Sequence, residues 1–150
     1  MKKIMLGLFL ILGAMSFAAP KFVDMAKVKN AGYVIKNERE DILTMATSDD
    51  DSAIIISFST ANISSKEISD LLKSNALRNS ENFIATLDNN RAYINEFEAQ
   101  GFYSYMIVPK KEKVKNQHTY ATYVSSKKLS KNDLSKITNA ILDEAESYIK

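Results

Sequence analysis

The stretch DDDSAIIISFS, Asp49 to Ser59, sets three consecutive carboxylates directly before a run of isoleucines. Its acidic half raises the question of a cation-binding loop; its apolar half decides the architecture. Ile54, Ile56 and Phe58 alternate, as one buried face of a strand requires, yet Ile55 falls on the opposite face. The preceding run, Asp41–Thr47, divides in the same way, with Ile42 and Ala46 on one side and Leu43 and Met45 on the other. A sheet with one wet face alternates more cleanly than this. Either helices cover both faces, or a second chain covers one of them.

Working outward, Gly32–Lys36, Asp41–Thr47 and Ala53–Ser59 are short β-prone runs separated by the charged, turn-like segments NERE and SDDD, which predicts an antiparallel meander. Upstream, KFVDMAKVKNAG carries the spacing of a short helix ahead of Gly32. Downstream, ISSKEISDLLKSNALRN opens with Ser64 as N-cap, Glu67 three residues on, and Ile63 and Ile68 placed as a hydrophobic staple. NFIATLDNNRAYINEF predicts a hairpin with Asn89-Asn90 in a type I′ turn, and EAQG a second turn into FYSYMIVP, which Pro109 ends. HTYATYVSS is the last strand. LSKNDLSKITNAILDEAESYI, capped by Ser130, is the last helix.

Strands and helices in separate runs predict one α+β domain. Its antiparallel sheet has six to seven strands and two main helices, in the order βββ-α-ββββ-α. The element order is loosely similar to that of the PsbP-like domains, a likeness of topology that rests on no shared motif and implies no activity. AIIISFSTANISSKEISDLL and TYATYVSSKKLSKNDLSKIT also share a layout of strand, link and capped helix. Good capping chemistry accounts for that layout without a duplication.

MKKIMLGLFLILGAMSFAAP begins with Lys2 and Lys3, continues through the apolar run Ile4–Phe17, and supplies small residues before a cut after Ala18. This is the pattern of a cleaved secretory signal peptide at residues 1–18, with 19–150 as the mature domain. The apolar run is shorter than the roughly 20 residues that span a bilayer. The expected location is the periplasm or the extracellular space, with no transmembrane anchor in the mature chain. The chain has 20 basic and 18 acidic residues, which balance once Lys2 and Lys3 are left out. A neutral domain has no general electrostatic claim on nucleic acid. Without cysteine, stability must come from a hydrophobic core.

The candidates for chemistry are few. Asp49, Asp50 and Asp51 form a weak metal alternative, since calcium loops use alternating acids, a glycine and a distal Glu. His118 is the one histidine; with Glu96, Glu98 or the aspartates it would be the polar asset of a small hydrolase or ligand carrier. No nucleophile-elbow, zincin or P-loop motif occurs, so no catalytic residue is assigned and no cofactor is expected. Lys110, Lys111 and Lys113 sit in the one basic cluster, KKEKVK, and Tyr103, Tyr105, Tyr120 and Tyr123 concentrate on two neighbouring strands. Those residues are the expected contact surface of a non-catalytic binding or accessory protein. Its partner would be another envelope protein or a second copy of the chain.

Overall fold

A computed structural model describes residues 18–150, the side chain of Asp88 excepted; the segment carrying the signal-peptide expectation, 1–17, lies outside the described residues. A seven-stranded antiparallel sheet runs in the order β1-β2-β3-β7-β6-β5-β4. Its strands are β1 Val34–Arg39, β2 Ile42–Ser48, β3 Ser52–Thr60, β4 Asn82–Asp88, β5 Ala92–Ala99, β6 Phe102–Pro109 and β7 Gln117–Ser125. The helices are α1 Met25–Asn30, α2 Ser65–Arg78 and α3 Lys131–Ser147. The α+β class, the antiparallel sheet and the order of strands and main helices are those expected from the sequence.

The divided isoleucines have their explanation in the two faces. On one face, Leu43, Met45, Ile56, Phe58, Tyr105, Ile107 and Ala121 form a single core with Val28 of α1 and Leu134, Ile141, Leu142 and Ala145 of α3. On the other face, α2 lies across β5 and β6: Ser69 meets the buried Asn95, and Lys73 stands over Phe83, whose ring packs on Phe97. Helices of the same chain therefore lie on both faces, α3 and α1 over the main core on one and α2 over β5 and β6 on the other. Burying a side chain of leucine or phenylalanine size contributes roughly 1.5–3 kcal/mol, so the fully buried residues of the α3 face carry most of the stability.

Local chemistry fixes the ends of the elements. Ser64 accepts from the Glu67 N–H while the Glu67 carboxylate accepts from the Ser64 N–H, a complete capping box at the start of α2. Ser130 caps α3 by accepting from the Asp133 N–H. The type I′ turn expected at Asn89-Asn90 does not form there. Among the described non-glycine residues, positive φ is confined to Ser80, Gln100 and Asn116. Instead the Asn89 side chain accepts from the Arg91 and Ala92 N–H groups at 2.9 and 2.7 Å, an Asx turn that tightens the hairpin. The positive-φ pair sits one turn later, at Gln100 (53°) and Gly101 (81°) between β5 and β6.

The two ends of the described chain are fastened together. Val23 bridges Ile149, the Asp24 N–H donates to the Tyr148 carbonyl, and the Lys150 N–H donates to the Phe22 carbonyl. Residue 18 thus enters the domain at the end of the sheet where β6 and α3 finish.

Candidate functional site

The aspartates form a turn. One Asp49 oxygen accepts from the Asp51 N–H at 2.9 Å and the Ser52 N–H at 2.7 Å, and the Ser52 hydroxyl adds a third bond. The Asp51 N–H, followed by that of Ser52, holds the Asp49 carboxyl below the usual carboxylate range. The strongest acceptor in DDD is thus spent on the backbone that joins β2 to β3. Among the described residues, no group of three or more His, Cys, Asp or Glu side chains is placed to hold a metal ion.

His118 has the richest setting. It begins β7 on the α2 face, and its side chain is 2% exposed. Nε2 lies 2.9 Å from the Ala61 carbonyl, and Nδ1 lies 3.4 Å from a Glu112 oxygen. The second Glu112 oxygen accepts from the Asn116 N–H, and the Asn116 carbonyl accepts from the Ala61 N–H. These four links close a ring that ties the β6–β7 loop to the lead-in of α2. Both ring nitrogens of His118 are engaged, so neither is presented to a substrate. The adjoining cavity, lined in part by Ser65, Val108, Glu112, Gln117 and Glu146, has a volume of about 30 Å³. That is room for water, not for a substrate. Glu112 was hidden in the sequence because it reads as a lone acid inside a lysine run.

The basic cluster is partly neutralised by its neighbours. Lys113 pairs with Glu146 at 3.1 Å, and Lys110 stands 5.5 Å from the centre of the Tyr93 ring. Lys111 is exposed. Arg91 reaches the same Glu146 at 3.1 Å and Asp143 at 2.7 Å. Burial works against ionising Glu146, but Arg91 and Lys113 together hold its carboxyl below the usual range. This loop and the end of α3 thus form one charge-balanced corner.

The tyrosines separate. Tyr103, Tyr105 and Tyr123 share the α3 face, whereas Tyr120 lies on the α2 face. Tyr105 is fully buried, and its hydroxyl accepts from the Leu129 N–H at 2.8 Å, which positions the entrance of α3. Burial first, and then the neighbouring Glu96 carboxylate, push the Tyr105 phenol up against the pull of that N–H. Glu96 itself is buried beside Lys128, 3.6 Å away. Tyr103 and Tyr123 are half-buried and pack against the core. Burial likewise raises Tyr120, against the pull of the nearby Ser59 and Ser57 hydroxyls. Tyr103 and Tyr123 lie near the end of the sheet that carries Asp49–Ser52, and Lys110–Lys113 at the opposite end, so the structure does not gather the two groups into one surface. Glu98 accepts from the Gly101 N–H and serves the type I′ turn.

One cluster had no signal in the sequence. Glu144 of α3 accepts from the hydroxyls of both Tyr33 and Tyr148, at 2.9 and 2.8 Å. Burial and then the Glu144 bond push the Tyr148 phenol up to about 12 and raise Tyr33 in the same direction. Glu144 and Tyr148 are one helical turn apart, but Tyr33 lies 111 positions away, and only the tertiary fold brings it to them.

No family model, curated protein or solved structure matches this chain.

Proposed function

We propose that this chain is a small exported protein of the bacterial cell envelope or extracellular space that works by contact and not by catalysis. The observation that carries this reading is the state of its polar groups. His118 and the buried Glu96 are the two groups best suited to acid–base work, and each is consumed by partners inside the fold. A general base needs a free nitrogen or oxygen within reach of a substrate proton. The cavity beside His118 has no room to bring one there.

The rival reading, a small hydrolase or ligand carrier, would use His118 with Glu112 and requires the ring around Ala61 to open. A panel of chromogenic ester, peptide and glycoside substrates separates the two. The contact reading expects no turnover from the wild type. Turnover that disappears in His118→Gln would overturn it. Export rests on residues 1–18 and has its own test. Mass spectrometry of the protein from fractionated cells should find an N-terminus at Ala19, outside the cytoplasm. Intact Met1 in the cytosolic fraction would refute export.

A further inference from the structure

The two partners of the His118 ring make the same demand on it. The Ala61 carbonyl, 2.9 Å from Nε2, can only accept, so Nε2 must carry a hydrogen. The ionised Glu112 carboxylate, 3.4 Å from Nδ1, also only accepts. A neutral imidazole has one N–H and one bare lone pair. Either neutral tautomer therefore sets a lone pair against an oxygen, at Ala61 or at Glu112. Only the ring with two hydrogens satisfies both. At these separations no water fits between ring and partner. The other charged groups around His118 leave the decision to Glu112. Across the adjoining cavity stand Lys111 and Lys113 of the same loop and Glu146 of α3. Lys113 and Glu146 pair with each other, and Lys111 is exposed. β3 offers Ser59, α2 offers Ser65 and β6 offers Val108 and Pro109, none of them charged. Tyr120, next on this face of β7, is a neutral phenol at ordinary pH.

We propose that this ring is a proton-operated latch on the β6–β7 loop, residues 110–116. It ties the loop to the lead-in of α2 while His118 carries two hydrogens, and releases it when the ring keeps one. Glu112 transmits the change to the backbone. One of its oxygens faces Nδ1, and the other accepts from the Asn116 N–H at 3.1 Å. The Asn116 carbonyl in turn accepts from the Ala61 N–H at 3.0 Å. A lone pair on Nδ1 repels the carboxylate that holds Asn116, and so loosens both links. The closed loop binds one proton more than the open loop, so rising pH favours opening. Histidine is the side chain whose charge changes between about pH 5 and 8. The latch therefore closes on the acid side of that range and opens on the alkaline side. What it frees is the loop that carries the basic cluster and the exposed Val114.

The latch stands independently of the contact reading, and its test uses no substrate. His118 is the one histidine of the chain, so its ring nitrogens give a single set of nitrogen-15 resonances. Both nitrogens should carry hydrogen at about pH 5, and one hydrogen should be lost on the way to about pH 8. Amide protection factors at Ala61 and Asn116 should fall with the same midpoint. The expected drop is about 10- to 100-fold, the range for a charge-assisted hydrogen bond, while the middle of β3 and β7 keeps its protection. Glu112→Gln retains an acceptor for the Asn116 N–H and gives Nδ1 an amide donor that a neutral ring can accept, so its protection should not change with pH. His118→Gln should lower protection at both amides at every pH and abolish the step. Glu146→Gln should leave the step in place. A ring whose hydrogen count is the same at both ends of the range would overturn the proposal. So would a ring that loses its hydrogen with protection unchanged, or a step that survives Glu112→Gln or vanishes in Glu146→Gln.

Discussion

The sharpest test of how this sheet is closed is the polar link beneath α2. Asn95 is 2% exposed and its amide donates to the Ser69 hydroxyl at 3.0 Å, while its oxygen accepts from Thr86 at 2.9 Å. Asn95→Ala removes these two bonds, each worth about 1 kcal/mol net, and a weaker third from the same amide to the Ser69 carbonyl at 3.4 Å. It also strands the Ser69 hydroxyl, itself 2% exposed, at a further cost of about 1–3 kcal/mol. Thr86 is exposed and can turn to water, so it adds little. The sum is a loss of about 3–5 kcal/mol, a large share of the 5–15 kcal/mol typical of a domain. At roughly 4 °C per kcal/mol, the melting temperature should fall by about 12–20 °C. The double variant Asn95→Ala, Ser69→Ala should recover about 1 kcal/mol or more of that loss, because no buried hydroxyl is then left alone. Urea titrations of the two single variants and the double variant supply the cycle. Strictly additive losses, or an Asn95→Ala loss under 1 kcal/mol, would refute the argument that this link seats α2.

Other outcomes follow from the same structure. Thr138 Oγ1 is buried in α3 without a hydrogen-bond partner, so Thr138→Val should stabilise the fold by about 1 kcal/mol in urea. Tyr148 has its phenol raised from the ordinary value near 10 to about 12, so its contribution is complete below pH 10 and is lost as pH rises from 10 to 12. In Tyr148→Phe the urea midpoint should decline less steeply across that window; an unchanged slope would rule Tyr148 out as its source. Melting temperatures in millimolar calcium and in chelator should coincide, because the Asp49 carboxylate is occupied by its own turn. His118→Gln should speed amide exchange at Ala61 and Asn116 more than at the central strands, and uniform protection would show that the ring ties nothing.

Much of the fold was legible because its signals are local. The capping box at Ser64 and Glu67 and the cap at Ser130 involve residues three apart, so the chain announces them without tertiary knowledge. The apolar residues on both sides of Ser52–Thr60 likewise asked what lies on each face; α3 packs on one, while on the other α2 packs on β5 and β6 rather than on β3 itself. Where reading failed, distance or competition was responsible. Asn89-Asn90 could adopt positive φ, but the Asn89 side chain offered the backbone two acceptor contacts without it, and the left-handed pair moved to Gln100-Gly101. Tyr105 had the pattern of a contact residue because a buried tyrosine and an exposed one look alike until the Leu129 N–H is found 2.8 Å from its hydroxyl. The Tyr33–Glu144 bond and the His118–Ala61 bond join residues 111 and 57 positions apart, beyond the reach of any periodicity.

The resemblance between the two strand-and-helix units can now be judged on geometry. β3 and β7 are antiparallel neighbours at the middle of the sheet, which is where a duplicated pair would meet across a two-fold axis. Such an axis, running normal to the sheet, exchanges the strands and leaves each face on its own side. The helices that follow the two strands would then lie on the same face. They do not: α3 packs with Phe58 and Ile107, whereas α2 packs with Asn95 on the reverse side. The shared layout therefore reflects what any strand needs in order to hand over to a capped helix. What the opposed helices achieve is cover for different parts of the sheet: α3 closes the main core on one face, and α2 lies across β5 and β6 on the other.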